Sequence, residues 1–301
     1  MNQKIHKFLR QNIEDLWKKL AGQNSAYRHQ SGSNLHLFAA PTHLAYFNMC
    51  FEDSAAECVP DKQVAASFFH AQAPKHVSES FFLRVQANPD VSSLNTQSDA
   101  LRQTCFWPLD QGALAKKGFL NKAFLQECDF YVRATKNDAA AHAFFYTSMA
   151  KAFAITFDEA RSLLACFYKI GTLYVAQQKT AQNLLDPNAF CGHVLIVHDA
   201  HKRAAAYMIS GPLYVQKALL GAAMQDASDA GCLGFLFPFN PLRENPVLKK
   251  DPAAADKMLG EKSAAPNVST FALYPNPFVD KKVWQGVEYS GLYTAIKERA
   301  A

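Results

Sequence analysis

The stretch YMISGPLYVQKALLGAAM, residues 207–224, which runs on through Gly231 into LGFLFPF at 233–239, decides how this chain is read. It opens as an apolar strand, breaks at Gly211-Pro212 and then changes to helical spacing, with Leu213, Leu219, Leu220, Ala223 and Met224 making a packed face. Gly231 stands where a left-handed residue closes a helix over 213–230, and 233–239 is a buried strand ended by Pro238 and Pro241. A helix that starts directly after a strand offers unpaired backbone N–H groups and the positive end of its dipole to an anion.

Working outward, Cys191–His198 is β-branched and apolar, Asp199–Lys202 is a turn, and Arg203–Ile209 returns as the antiparallel partner. Before this hairpin come a strand at Phe130–Ala134, a helix at Asp138–Ala152 and a second helix at Asp158–Ile170 capped by Gly171. At the other end Ile5, Phe8, Leu9, Ile13, Leu16, Trp17 and Leu20 recur every three or four residues, a core-docking helix that stops near Gly22. Leu35–Ala40 reads as a strand, Gln63–Ala73 as a helix and Phe81–Gln86 as extended, while Thr270–Tyr274 and Val283–Tyr289 supply closing strands. The weak echo of one strand-helix order in both halves divides the chain into 1–128 and 129–301.

With 301 residues, 49% hydrophobic and 19% charged, the chain has the mix of a globular protein. Lys and Arg outnumber Asp and Glu by 31 to 26, a net +5 that suits an anionic small molecule and is thin for a dedicated nucleic-acid binder. No apolar run approaches the roughly 20 residues of a membrane span, and the amino terminus lacks the apolar core of a secretory signal, so a cytoplasmic protein is expected. Seven scattered cysteines without a Cys-x-x-Cys pair argue against a disulfide framework or a structural zinc site. His193 and His198, five apart, point to opposite faces of a strand; His29, His36 and His43 straddle Gly32 and Pro41 and are read as loop and strand residues. No metal is expected, and neither Gly-x-Ser-x-Gly nor His-Glu-x-x-His occurs.

Residues 207–239 resemble the central strand, loop, helix and strand of the GCN5-related N-acetyltransferase (GNAT) superfamily. The loop of that family reads Gln or Arg, two residues, Gly, one residue, Gly or Ala; Gln216-x-x-Leu219-x-Gly221 keeps its first and last positions. The resemblance implies an α/β fold of two GNAT-like domains, each a mostly antiparallel mixed sheet flanked by helices, the first half being degenerate around Trp17, Gly32, Pro41, Phe47 and Asn48. It further implies transfer of an acetyl or related acyl group from acetyl-CoA to the amine of a small molecule or peptide, with neither nucleic acid nor membrane as partner. Gln216, Lys217, Leu219 and Gly221 would then hold the pyrophosphate, Asn240 or Asn245 the pantetheine arm, Ser210 or Gly211 would lie beside the thioester, and Tyr214 or Tyr274 would serve as the acid.

The chain departs from the family in three places. Leu219 replaces a glycine, and Asp256-Lys-Met-Leu-Gly-Glu261 stands where the family has Tyr-x-x-Leu-Gly-Phe. The family also needs two strands between the hairpin turn and the helix, while Arg203–Pro212 holds about one and a half. Two further readings therefore stay open: a catalytically degenerate GNAT-fold binding or scaffold protein with a protein partner, and an unrelated α/β enzyme that takes a phosphorylated ligand at the same helix start.

Overall fold

The structure is a computed structural model, and it describes residues 2–31, 35–40, 42, 47, 49–52, 83–87, 100–109, 126–180, 186–241 and 267–275. The helix expected at Gln63–Ala73, the strand at Val283–Tyr289, Asn245 and the 256–261 pattern lie outside these residues. By contact the chain divides into two compact units: Met1–Thr104 with Asn240–Leu242 and Val268–Ala301, and Cys105–Phe239 with Arg243–Asn267.

The first unit opens with α1 (Asn2–Gln23), then β1 (Arg28–Ser31), β2 (Leu35–Ala39), β3 (Met49–Glu52) and β4 (Leu83–Ala87). Leu9, Ile13, Leu16, Trp17 and Leu20 form the buried stripe of α1, as their spacing requires. Trp17 packs edge-on against Phe38 of β2 and donates its indole N–H to the Ala39 carbonyl at 3.3 Å, which satisfies the one polar atom of a fully buried ring. Strands β1, β2 and β3 pair antiparallel, and β3 and β4 pair parallel. β5 (Ala100–Pro108) carries the chain across the division between the units.

The second unit runs β6 (Phe130–Thr135), α2 (Ala139–Phe153), α3 (Phe157–Ile170), β7 (Thr172–Gln178), a turn of 3-10 helix at Pro187–Ala189, β8 (Phe190–His198), β9 (Arg203–Ser210), α4 (Leu213–Asp229) and β10 (Gly234–Pro241). Neighbouring strands from β6 to β9 are antiparallel, and β9 and β10 are parallel. The strands read as nearly unbroken apolar runs because both sheet faces are covered. On one face Val194, Ile196, Ala204 and Ala206 meet Val215 and Leu219 of α4. The intervening residues His193, Leu195 and Tyr207 belong to the opposite face, toward which α2 brings Phe145. Local signals set the helix ends. The Asp138 carboxylate accepts from the Ala141 N–H at 2.9 Å and bonds Arg133, and Thr156 with Glu159 forms a reciprocal capping box. Gly231, at φ 76°, follows the last turn of α4 in the left-handed conformation expected of it.

The last described strand, β11 (Asn267–Pro275), pairs antiparallel with β4 from Phe271 opposite Ala87 to Pro275 opposite Leu83. A strand near the carboxy terminus thus completes the sheet begun by the amino-terminal residues. Each unit holds a mixed, mostly antiparallel sheet flanked by helices, which is the expected fold class.

The structure also changes parts of the reading. Thr172–Gln178, to which the sequence reading gave no element, is a strand ahead of the hairpin, and β9 alone lies between the Asp199–Lys202 turn and α4. Gly171 is not a left-handed cap: its backbone is extended, and a Cβ there would meet the Ile196 carbonyl oxygen at 2.8 Å. It is glycine because β8 passes too close. Pro238 sits inside β10 rather than at its end, and Leu233, expected in that strand, is 67% exposed just ahead of it.

Candidate active site at the end of β9

Chemistry in the second unit gathers where β9 gives way to α4. His193 pairs with Ser210 and Leu195 with Tyr207, so two steps along β8 face three along β9, and the surplus residue makes a bulge. Met208 takes up this bulge with φ 52°, a left-handed conformation that a non-glycine residue seldom adopts. Parallel pairing of β10 with β9 spans Gly234–Leu236 against Arg203–Ala205, and β9 continues past it through the bulge to Ser210.

After Ser210 the chain passes Gly211, at φ 116°, and Pro212 into α4. Two glycines permit this path. A Cβ on Gly211 would lie 2.7 Å from the Cys191 carbonyl oxygen, and one on Gly192 would lie 2.5 Å from the Val215 side chain and 2.8 Å from the Ser210 carbonyl oxygen. Both glycines of β8 and the turn are therefore places where backbone comes too near for any side chain. Gln216 donates its side-chain amide to the Gly211 carbonyl at 2.7 Å and holds the turn closed.

The first intrahelical bond of α4 runs from the Gln216 N–H to the Pro212 carbonyl at 2.9 Å. The N–H groups of Leu213, Tyr214 and Val215 precede it and are the orphan donors of the first turn, which contains no acidic residue. Lys217 follows, half-buried, and burial pulls its ammonium below the usual lysine range. Leu213 and Tyr214 are both 45% exposed, and Tyr214 leans on Phe130 with ring centres 5.9 Å apart.

These positions revise the expected phosphate loop. Gln216–Gly221 is helix, so the amides of Leu219 and Gly221 point back to carbonyls one turn earlier and offer nothing to a ligand. The Leu219 side chain has no exposed surface and lies in the core against β8 and β9. It fills no phosphate site. Asn240 on β10 and Tyr274 on β11 both belong to the other unit.

Across the sheet the Ser148 hydroxyl of α2 donates to the Ser210 hydroxyl at 3.0 Å. Sequence reading missed Ser148, because a serine within an apolar helix shows its partner only once the fold brings α2 over the end of β9. His193 lies beneath the same helix, with Phe144 and Phe145 edge-on at 5.7 and 5.0 Å. It is fully buried, and burial pushes it down to about 3 against the opposing pull of the Met208 backbone, so the ring is neutral and out of reach of a substrate. Cys191 is no better as a nucleophile: burial first, then Asp129, pushes its thiol up to about 11 and keeps it protonated.

The order β6, α2, α3, β7, β8, β9, α4, β10 is the one that the acetyltransferase resemblance implied once β7 is counted. No protein-family model and no curated protein matches the chain. Solved structures similar to it include a GCN5-related N-acetyltransferase from Kribbella flavida, at 8% identity over 88% of this chain and 94% of that one, with a TM-score of 0.49. A second GCN5-related N-acetyltransferase, from Sphaerobacter thermophilus, shares 11% identity over 83% and 82% of the two chains, also at 0.49. A tandem GNAT protein from the clavulanic acid biosynthesis pathway shares 9% over 91% and 94%, at 0.48. At such identities the likeness is one of fold.

Proposed function

We propose that the second unit binds acetyl-CoA or a related acyl-CoA at the start of α4 and transfers the acyl group to the amine of a small molecule or peptide. The observation that carries this reading is the break at the end of β9: a bulge at Met208, a left-handed Gly211 with no room for a side chain, and then a helix start with orphan N–H groups and a lysine. Such a break frees strand amides and aims a helix dipole at the same spot, which suits a ligand with a carbonyl at one point and a pyrophosphate at the next.

In this arrangement the amides of Leu213, Tyr214 and Val215, with the Lys217 ammonium, hold the pyrophosphate. Gln216 acts on the turn, not on the ligand, through its bond to Gly211. The backbone at Ser210 and Gly211 lies beside the thioester carbonyl, and Tyr214 is the candidate acid. Bound acetyl-CoA supplies an activated acyl carbon: the amine nitrogen bonds to it, the carbon–sulfur bond breaks, the amine loses a proton and the departing thiolate gains one.

The scaffold reading drew on Leu219, Asp256 and Glu261; Leu219 is turned into the core, and the other two lie outside the described residues. Calorimetric titration of the full chain with acetyl-CoA and with free CoA tests the proposal. Saturable binding is expected, weakened about tenfold or more by Lys217→Glu, because a cation near a phosphate becomes an anion. No binding at millimolar ligand would discard the acyl-CoA reading, and equal binding by the variant would discard Lys217 as a phosphate contact.

A further inference from the structure

In the first unit α1 lies over β1 and β2 and brings three side chains of metal-ligating types together. The antiparallel register sets His29 opposite Phe38 and Ser31 opposite His36, so His29 and His36 share one face although they stand seven positions apart in the chain. The Glu14 carboxylate of α1 reaches them from above, with Oε1 2.6 Å from Nδ1 of His36. One ligand atom from each of Glu14, His29 and His36 lies within 4.8 Å of the others. The His29 ring stacks on Phe38 at 4.9 Å, nearly parallel, which fixes its plane. Its Nε2 is buried and has no hydrogen-bond partner among the described residues. Burial, more than any neighbouring charge, pulls the group below the usual histidine range and leaves it neutral with a lone pair to offer.

We propose that Glu14, His29 and His36 form a binding site for a divalent transition-metal cation of the zinc class. Two imidazoles and one carboxylate are the borderline donors that zinc and its neighbours prefer, and three protein ligands leave a position for water. Ligand atoms around one tetrahedral ion stand ~3.3 Å apart, given bonds of about 2.0–2.1 Å. The His36–Glu14 contact must therefore open slightly and His29 must close in, movements within the reach of side-chain rotation on three regular elements.

Arg10 is the regulating neighbour. Its guanidinium donates from NH1 to His36 Nε2 at 2.8 Å, and its Nε is 3.8 Å from Glu14 Oε1. In the metal-free state this places the His36 proton on Nδ1, facing Glu14. When a cation takes Nδ1 the proton moves to Nε2, and Arg10 turns away from that nitrogen toward the carboxylate. Because its charge opposes the cation, Arg10→Met should tighten binding about tenfold or more.

The test is titration of the full chain with cobalt(II) and zinc(II) salts alone, followed by calorimetry and by the visible absorption of bound cobalt. One equivalent is expected to bind, and Glu14→Gln and His29→Gln should lose it while the melting transition of the metal-free protein stays in place. His29→Cys should keep the site and add a thiolate-to-cobalt charge-transfer band in the near ultraviolet, which a merely structural histidine would not produce. Absence of binding at hundred-micromolar metal, equal binding by a well-folded His29→Gln, or a His29→Cys complex without the new band would each overturn the proposal.

Discussion

Leu219 has no solvent-exposed surface, and its Cδ1 would lie 3.3 Å from a Cβ placed on Gly192. A side chain locked between helix and sheet in this way contributes burial that truncation forfeits, together with a cavity that the surroundings cannot close. Leu219→Ala should therefore cost about 2–5 kcal/mol in chemical denaturation. Glycine at this position would cost about 1 kcal/mol more through helix propensity. Neither change should raise affinity for CoA, and a gain in affinity with stability intact would mean that the side chain lines a ligand site after all. His193 makes a second residue-scale case. Its folded value of about 3 lies below its ordinary 6.5, so the unfolded chain binds the extra proton between these limits. Stability from this group is full above pH 6.5 and falls toward pH 3 by on the order of a kcal/mol per pH unit. Denaturant melts across that window should show the loss, and His193→Leu should flatten it; an unchanged slope would mean that the folded ring takes its proton near the ordinary value.

At the scale of the element, what could be read depended on whether local pattern and tertiary demand agreed. The α1 stripe, the Asp199–Lys202 hairpin turn and α4 with its Gly231 cap were legible, because spacing and turn chemistry alone define them. In the turn the Asp199 carboxylate accepts from the His201 N–H at 2.8 Å and from the Arg203 N–H at 3.0 Å. β7 was not legible as a strand: Thr172-Leu173-Tyr174-Val175-Ala176 is short and directly follows a glycine that imitates a helix cap. Leu173 to Ala176 are buried and apolar on both faces, so the strand lacks the alternation that marks a half-exposed one. The candidate site was legible only in part. Gly211-Pro212 announced the break and the helix from 213, but the bond from the Gln216 side chain back to the Gly211 carbonyl shows only once the turn is folded. The Met208 bulge has no signature in sequence at all, since it arises from the register between two strands.

At the scale of the whole molecule the division of the chain follows sheet membership, not sequence halves. β11 lies far along the chain but ladders onto β4, and no composition shift near 128 or 267 announces this return. A chain ending at Pro241 keeps every strand from β6 to β10 and removes the partner of β4. Amide hydrogen exchange on that truncated protein should show protection lost in β1–β4 while β7–β9 keep theirs. Retained protection in β4 would show that β11 is dispensable to the first sheet.

The pairing of Phe271 with Ala87 also sets a timetable for biosynthesis. At about 5–20 residues per second a ribosome needs roughly 10–40 s to travel from the codon of one to the codon of the other. Throughout that interval the nascent first sheet has an unfilled ladder position on β4, while the residues of β6 to β10 are being made. The unit that begins first is thus the last to be finished, and during synthesis it is the one exposed to intermolecular strand pairing and to the chaperones that prevent it.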